Sequence, residues 1–172
     1  MPLPLTIRPA LRSDLPAILD IMASGRTIMR QSGNPTQWPE GTPSREQLLA
    51  DIDGGVSYVA EKDGEPVASF AFVPGPDSTY GRIDGGAWLD DKAPYFVVHR
   101  LAKRQGVKGV FERVVAFCLG HTDNLRIDTH RDNRIMQTLL CRNGFAYCGI
   151  IYLHDGQERL AYQKLKEKKA AR

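Results

Sequence analysis

The sequence is short of the features that would place it in several common classes. It has three cysteines, Cys118, Cys141 and Cys148, an odd number at no metal-ligand spacing. That argues against a disulfide framework and favours reduced thiols in a cytoplasm. No apolar run approaches the roughly 20 residues that a membrane span needs. The start, "MPLPLTIRPA", has neither the basic region nor the apolar stretch of an export signal. Neither G-x-x-x-x-G-K-[ST] nor G-x-G-x-x-G occurs, which disfavours a nucleotide triphosphatase and a dinucleotide fold. The histidines, at 99, 121, 130 and 154, show no metal spacing, so no metal is expected. A net charge of +3 is small, and much of it sits in the tail "KLKEKKAAR". The basic residues do not form a stripe with interleaved aromatics, so no nucleic-acid partner is expected, and no membrane partner either.

What is present describes a globular chain. Hydrophobic residues make up 42% and charged residues 25% of 172 positions, enough for a single domain, 1–172, with a real core. "LTIRPA" reads as a short strand and "SDLPAILDIMASGRTIMRQ" as a helix capped by Ser13 or Asp14, with Leu15, Ile18, Leu19 and Met22 on one face. After the Pro/Gly-rich loop "SGNPTQWPEGTP", "SREQLLADI" gives a second helix with Ser44 and Gln47 at capping-box spacing. "VSYVAEKDGEPVASFAFV" alternates like a hairpin about "KDGEP". A loop follows, with a short edge strand expected around "YGRI". Then come a strand "APYFVVHRLA", a helix "VKGVFERVVAFCLG", a strand "LRIDTH" and a helix "DNRIMQTLLCRNG" that Gly144 ends. "FAYCGIIYL" and "ERLAYQKL" are two last strands. The order β-α-α-β-β-β-α-β-α-β-β predicts an α/β fold: a mixed sheet with helices on its faces.

One stretch carries more chemistry than the rest. "LAKRQGVKGVFERVV", Leu101–Val115, puts three basic residues and two glycines into a turn that runs straight into an amphipathic helix. A helix start presents unsatisfied N–H donors and partial positive charge. Gly106 and Gly109 allow close backbone approach, while Lys103, Arg104 and Lys108 add charge. The turn reads as a seat for an anion.

With that turn in its setting, the chain resembles the GNAT superfamily of acyl-CoA-dependent N-acyltransferases over essentially residues 5–165. The family signature is an apolar strand end, then R/Q-x-x-G-x-G/A, then a helix with paired apolar residues. Its first glycine on Gly109 brings Leu101 to the apolar position without a gap and Val114 and Val115 to the helix pair. Gly106 stands where R/Q is usual, and Phe111 where the second small residue is usual. Downstream, "NRIMQTLLCRNGF" keeps Asn133, Gly144 and Phe145 of N-x-x-A-x-x-x-Y-x-x-x-G-F, with Met136 for the alanine and Leu140 for the tyrosine. The resemblance implies a mostly antiparallel sheet of six or seven strands flanked by about four helices. It implies acetyl-CoA as co-substrate, its pyrophosphate and pantetheine held by Leu101, Ala102, Lys103, Arg104, Gly106, Val107, Lys108, Gly109 and Val110, with Asn133 assisting. A homodimer is compatible with it. A non-catalytic acyl-CoA-binding or regulatory module of the same fold is the alternative.

Acyl transfer needs a neutral amine, a donor for the developing oxyanion and an outlet for the thiolate. His99, two residues before Leu101, is the leading base, and strand alternation puts both on one face. Asp128 and His130, in "RIDTHRDN", alternate onto one face at the neighbouring strand end, where His130 could relay a proton and Asp128 could meet the acceptor. The family's usual tyrosine acid is replaced by Leu140, so Tyr147 is taken as the displaced acid, with Tyr152 a second candidate. The resemblance places Gln37 and Trp38 in the acceptor pocket; Trp88 is as readily a core residue. The acceptor stays open among a small polyamine, an antibiotic, an amino acid and a peptide amine.

Overall fold

The computed structural model describes residues 4–167. Seven strands, β1 Thr6–Pro9, β2 Ser57–Lys62, β3 Glu65–Pro74, β4 Phe96–Lys103, β5 Asn124–Thr129, β6 Ala146–Tyr152 and β7 Glu158–Leu165, form one sheet in the order β1-β2-β3-β4-β5-β7-β6. Four helices join them: α1 Leu15–Gln31, α2 Arg45–Asp53, α3 Val110–Leu119 and α4 Arg134–Arg142. The element order is the one expected from the sequence. The segment around "YGRI" differs: it forms no strand, and only Asp84 makes an isolated bridge, to Ile150. Ser78–Tyr80 instead forms a short 3₁₀ turn that ends at Gly81.

Capping explains two of the helix starts. Ser44 Oγ accepts from the Gln47 N–H at 3.1 Å at the head of α2, satisfying one orphan donor. Asp14 precedes α1 but does not cap it: its carboxylate accepts from Leu11 N and binds Arg8 in two bonds of 2.7 and 2.8 Å. That pairing, first of all the hydrogen bond from Arg8, holds Asp14 below the usual carboxylate range.

The helices lie on both faces. On one, Val110, Phe111, Val114, Val115 and Cys118 of α3, with Leu140 of α4, pack on Phe70, Phe72, Val98, Leu125 and Ile127. On the other, α1 and α2 bury Ile18, Ile21, Met22, Leu48 and Ile52 against Val59 and Ala102. The segment between β3 and β4 covers the rest of that face, with Tyr80 and Trp88 over Val97, Ile151 and Ala161. Beneath Trp88, the buried Arg126 guanidinium lies 4.0 Å from the indole and 3.8 Å from the Tyr95 ring.

Two irregularities open the middle of the sheet. β4 and β5 run parallel, and their register covers only Phe96 opposite Leu125 and Val97 opposite Arg126. Beyond that point the strands part. β4 also carries a bulge: Ala71 faces His99 and Ser69 faces Ala102, so two residues, Arg100 and Leu101, stand against Phe70 alone. Arg100 takes up the extra length at φ 53°, in the left-handed region, as bulged residues beside binding sites do. Its guanidinium is held by Asp51 of α2 in two bonds of 2.6 and 2.9 Å.

Candidate active site

The parting of β4 and β5 produces two clefts that meet. The first, about 480 Å³, is walled by the loop after α1 (Gln37, Trp38), by His99 and Arg100 of β4, by Asp128 and Thr129 of β5, and by Arg159 of β7. The second, about 280 Å³, runs over Gly25 and Ile28 of α1 and along Leu101–Lys103 and Val107–Glu112. Met29, Leu101, Asn133 and Met136 belong to both walls.

The second cleft is built from backbone. Gly106 and Gly109 both have positive φ, 79° and 77°, which only glycine adopts without strain. Gly109 is the N-cap of α3 and supplies no side-chain cap. The first helical acceptor is taken by Arg113 N, bonded to Gly109 O. Among the described residues, no group accepts from the N–H groups of Gly106 through Glu112. Such a run of free donors at a helix start is an anion nest. Lys103 Nζ donates to Val107 O at 2.6 Å and so holds the turn. Arg104 and Gly106 lie on the turn but not in the groove wall; Arg104 Nε donates to Pro66 O instead. Gly25 has a packing reason: a β-carbon there would lie 2.8 Å from Ala102 Cβ, so α1 approaches β4 closely.

The first cleft is built from side chains. His99 Nε2 lies 2.8 Å from Asp77 Oδ2, and its Nδ1 lies 4.0 Å from Asp128 Oδ1. Hydrogen bonding from His99, with further bonds from Thr79, drives Asp77 well below the usual carboxylate range against its burial. An ionised Asp77 can only accept, so Nε2 is the donor in that bond and Nδ1 is the atom turned toward Asp128. Asp128 Oδ1 accepts from the Tyr80 hydroxyl at 2.6 Å. Burial, then the charge of Asp128, raises the Tyr80 phenol well above its ordinary value, so it stays a donor.

The other residues named from the sequence fall as follows. Leu101 packs with the α3 side of the sheet, whereas His99 meets Tyr80 on the opposite side. The bulge at Arg100 breaks the alternation that would have put them on one face, yet both reach the first cleft. Asp128 lines that cleft, but His130 lies past the end of β5 and outside both walls, so the strand alternation does not extend to it. His130 Nδ1 accepts from Asp132 N at 3.0 Å. Burial and then the neighbouring Arg159 keep His130 below its ordinary pKa, as a neutral ring. Asn133 Oδ1 caps α4 on Met136 N, and its Nδ2 donates to Gln37 Oε1 at 3.0 Å. Trp38 packs against the α1–α2 core at the cleft edge.

Tyr147 stands apart, 52% exposed on the edge strand β6 and lining neither cleft. Tyr152 bonds Asp84, likewise outside both. Leu140 is fully buried in the core below α4. Among the described residues no group of three metal-ligating side chains occurs, and no helix is long and apolar enough to cross a membrane.

The search of solved structures decides the family. A GNAT-family acetyltransferase from Streptococcus agalactiae is 32% identical, with a TM-score of 0.87 over 98% of this chain and 99% of its own. The chain belongs to the GNAT family. Weaker likenesses, informative of the fold alone, include a GNAT-family acetyltransferase from Listeria monocytogenes (19% identity, TM-score 0.69, covering 94% of each chain). Another is a Salmonella typhimurium protein solved with its cofactor acetyl-CoA (14%, TM-score 0.61, covering 97% of this chain and 96% of that one). No protein-family model matches the sequence, and no curated protein does.

Thr129 and Arg159 are cleft residues that reading the sequence missed, and so are Asp77 and Tyr80, which hold His99 and Asp128 from behind. Two left a signal. Asp77 precedes "STY" at capping spacing, and its Oδ1 accepts from Thr79 N at 2.9 Å. Arg159 shares the inward positions of "ERLAYQKL" with Ala161 and Gln163, where a charged side chain is out of pattern.

Proposed function

We propose that this GNAT protein is an N-acetyltransferase that moves an acetyl group from acetyl-CoA to a primary amine, the whole chain acting as one cytoplasmic domain. The meeting of the two clefts carries the reading: a groove of free N–H groups suited to a pyrophosphate opens at Leu101 into a cleft holding a histidine. In this assignment the N–H groups of Gly106 through Glu112 hold the pyrophosphate, and the unpaired edge of β4 beyond Val97 holds the pantetheine arm. Bound acetyl-CoA supplies the thioester. His99 takes the amine proton on Nδ1 while Asp77 fixes the ring and stabilises the charge it gains. Backbone N–H groups at the β4 bulge suit the developing oxyanion.

The leaving thiolate has no tyrosine at the family's position. Leu140 fills core space there, and Tyr147 is too far outside the clefts to replace it. Departure as an anion stabilised by the nearby backbone dipoles fits both facts. The test is thiol release from acetyl-CoA with a panel of amines. Amine-dependent release is expected; cofactor binding with no release for any amine would favour the non-catalytic module.

A further inference from the structure

The first cleft has a buried arginine to which no carboxylate is bonded among the described residues. Arg159 is only 5% exposed and lines the cleft. One of its terminal nitrogens donates to Glu158 O at 2.9 Å and, at 3.5 Å, to Gln157 Oε1. Among the described residues no carboxylate lies within 4.0 Å of it, and nothing accepts from its Nε or its other terminal nitrogen. Neither of those atoms is sealed from solvent, so the free part of the guanidinium opens into the cleft. Burial accordingly pulls its pKa below the ordinary arginine value, against the charges of Asp128 and Asp155. By contrast, the buried Arg126 reaches Asp91, and the half-buried Arg100 and Arg8 reach Asp51 and Asp14. A desolvated guanidinium with an open fork is costly unless a ligand completes it.

The register supplies the second half. Asp128 pairs with Ala161 across β5 and β7. Arg159, two residues along the same strand face, is therefore its diagonal neighbour, at about 7–8 Å between backbones. Asp128 also faces His99 Nδ1. One end of the cleft thus offers a carboxylate and a base, and the other a buried guanidinium fork. A molecule with an ammonium and an oxyanion a few bonds apart fits between them.

We propose that the acceptor is a small amine that carries its own oxyanion, an amino acid or an aminoalkyl phosphonate or phosphate, and that Arg159 grips that oxyanion. The proposal rests on the acetyltransferase reading and narrows its acceptor. Polyamines and peptide N-termini lack the group Arg159 needs.

The test compares matched pairs: standard amino acids and short ω-amino acids, each beside its decarboxylated amine, and aminoalkyl phosphonates and phosphates as a separate arm. Binding to protein saturated with coenzyme A is measured by calorimetry and transfer by thiol release. At least one oxyanion-bearing amine is expected to exceed its plain partner by about 100-fold or more in kcat/KM, because a site built for a polar group rejects the analogue lacking it. The carboxylate and phosphorus arms show which oxyanion is preferred. Arg159→Gln should erase that preference chiefly through KM, and Arg159→Lys should fall between. Plain amines bound and acetylated as well as their partners by the wild type would overturn the proposal, whether or not the variants fold. Oxyanion-dependent binding without any transfer would leave the proposal standing and sink the acetyltransferase reading instead.

Discussion

The two clefts solve recognition with different materials. The groove at the start of α3 uses backbone N–H groups set by two glycines, and most of its side chains point elsewhere or serve the turn. The cleft between β4 and β5 uses side chains drawn from separate segments, His99, Asp128 and Arg159, with Asp77 behind His99. A backbone site tolerates changes of residue as long as the chain keeps its path. A side-chain site fails when one group is lost. This is why the family signature can depart at Gly106 and Phe111 without removing the nest, whereas Leu140, buried in the core, leaves no hydroxyl at the tyrosine position.

The sharpest way to break the comparison is His99→Ala. Turnover should drop by about 10²–10⁴ if His99 is the general base, with cofactor affinity unchanged and the acidic limb of the pH–rate profile gone. A variant at full rate with the same profile would make His99 a structural residue.

Gly109→Val attacks the other material. A β-carbon at Gly109 meets no protein atom within 4 Å, so the core should survive. The left-handed backbone costs a β-branched residue about 1–2 kcal/mol or more, and the cheapest relief is to move the turn. Calorimetry should show coenzyme A binding weakened by about tenfold, while acceptor preference is kept. Unchanged affinity in a folded variant would remove the nest from the cofactor site.

Asp77→Asn should be the mildest of the three in turnover, roughly tenfold, because it loosens the ring of His99 without removing it. Its signature is in stability against pH. The folded Asp77 carboxyl titrates below its unfolded value, so the native state binds fewer protons. Its contribution is full above the unfolded pKa near 4 and is lost as pH falls through the lower folded value. Wild type should therefore lead Asp77→Asn in melting temperature at neutral pH and lose that lead below about pH 4. A lead that persists unchanged into strong acid would mean that the Asp77 carboxyl does not titrate below its unfolded value in the folded protein.

The elements were legible because each has its own period and punctuation. Val114 and Val115 on an amphipathic helix, Gly144 after the last turn and the alternation of "VSYVAEKDGEPVASFAFV" are local facts. The nest was legible for the same reason, since it lies within one stretch of chain. The cleft between β4 and β5 was legible only in part. His99 and Asp128 could be suspected as polar groups on central strands, but Asp77 reaches His99 across 22 residues of sequence. The face shared by His99 and Leu101 was misread because a bulge depends on how β3 and β4 pair, and neither strand alone reveals the extra residue. Tyr147 was a choice made to fill a chemical need, and the edge strand carries it to the surface.

The two-residue register between β4 and β5 has a mechanical side. Four strands on one side and three on the other are, across the middle, two plates joined by a short seam, and the packing of α3 and α4 keeps them aligned. Where the seam ends, so does the backbone's own resistance to prying the plates apart. Whatever lodges there touches both plates at once and takes over as the missing stitch. Occupancy of the site and rigidity of the whole sheet are in that sense one property of the molecule.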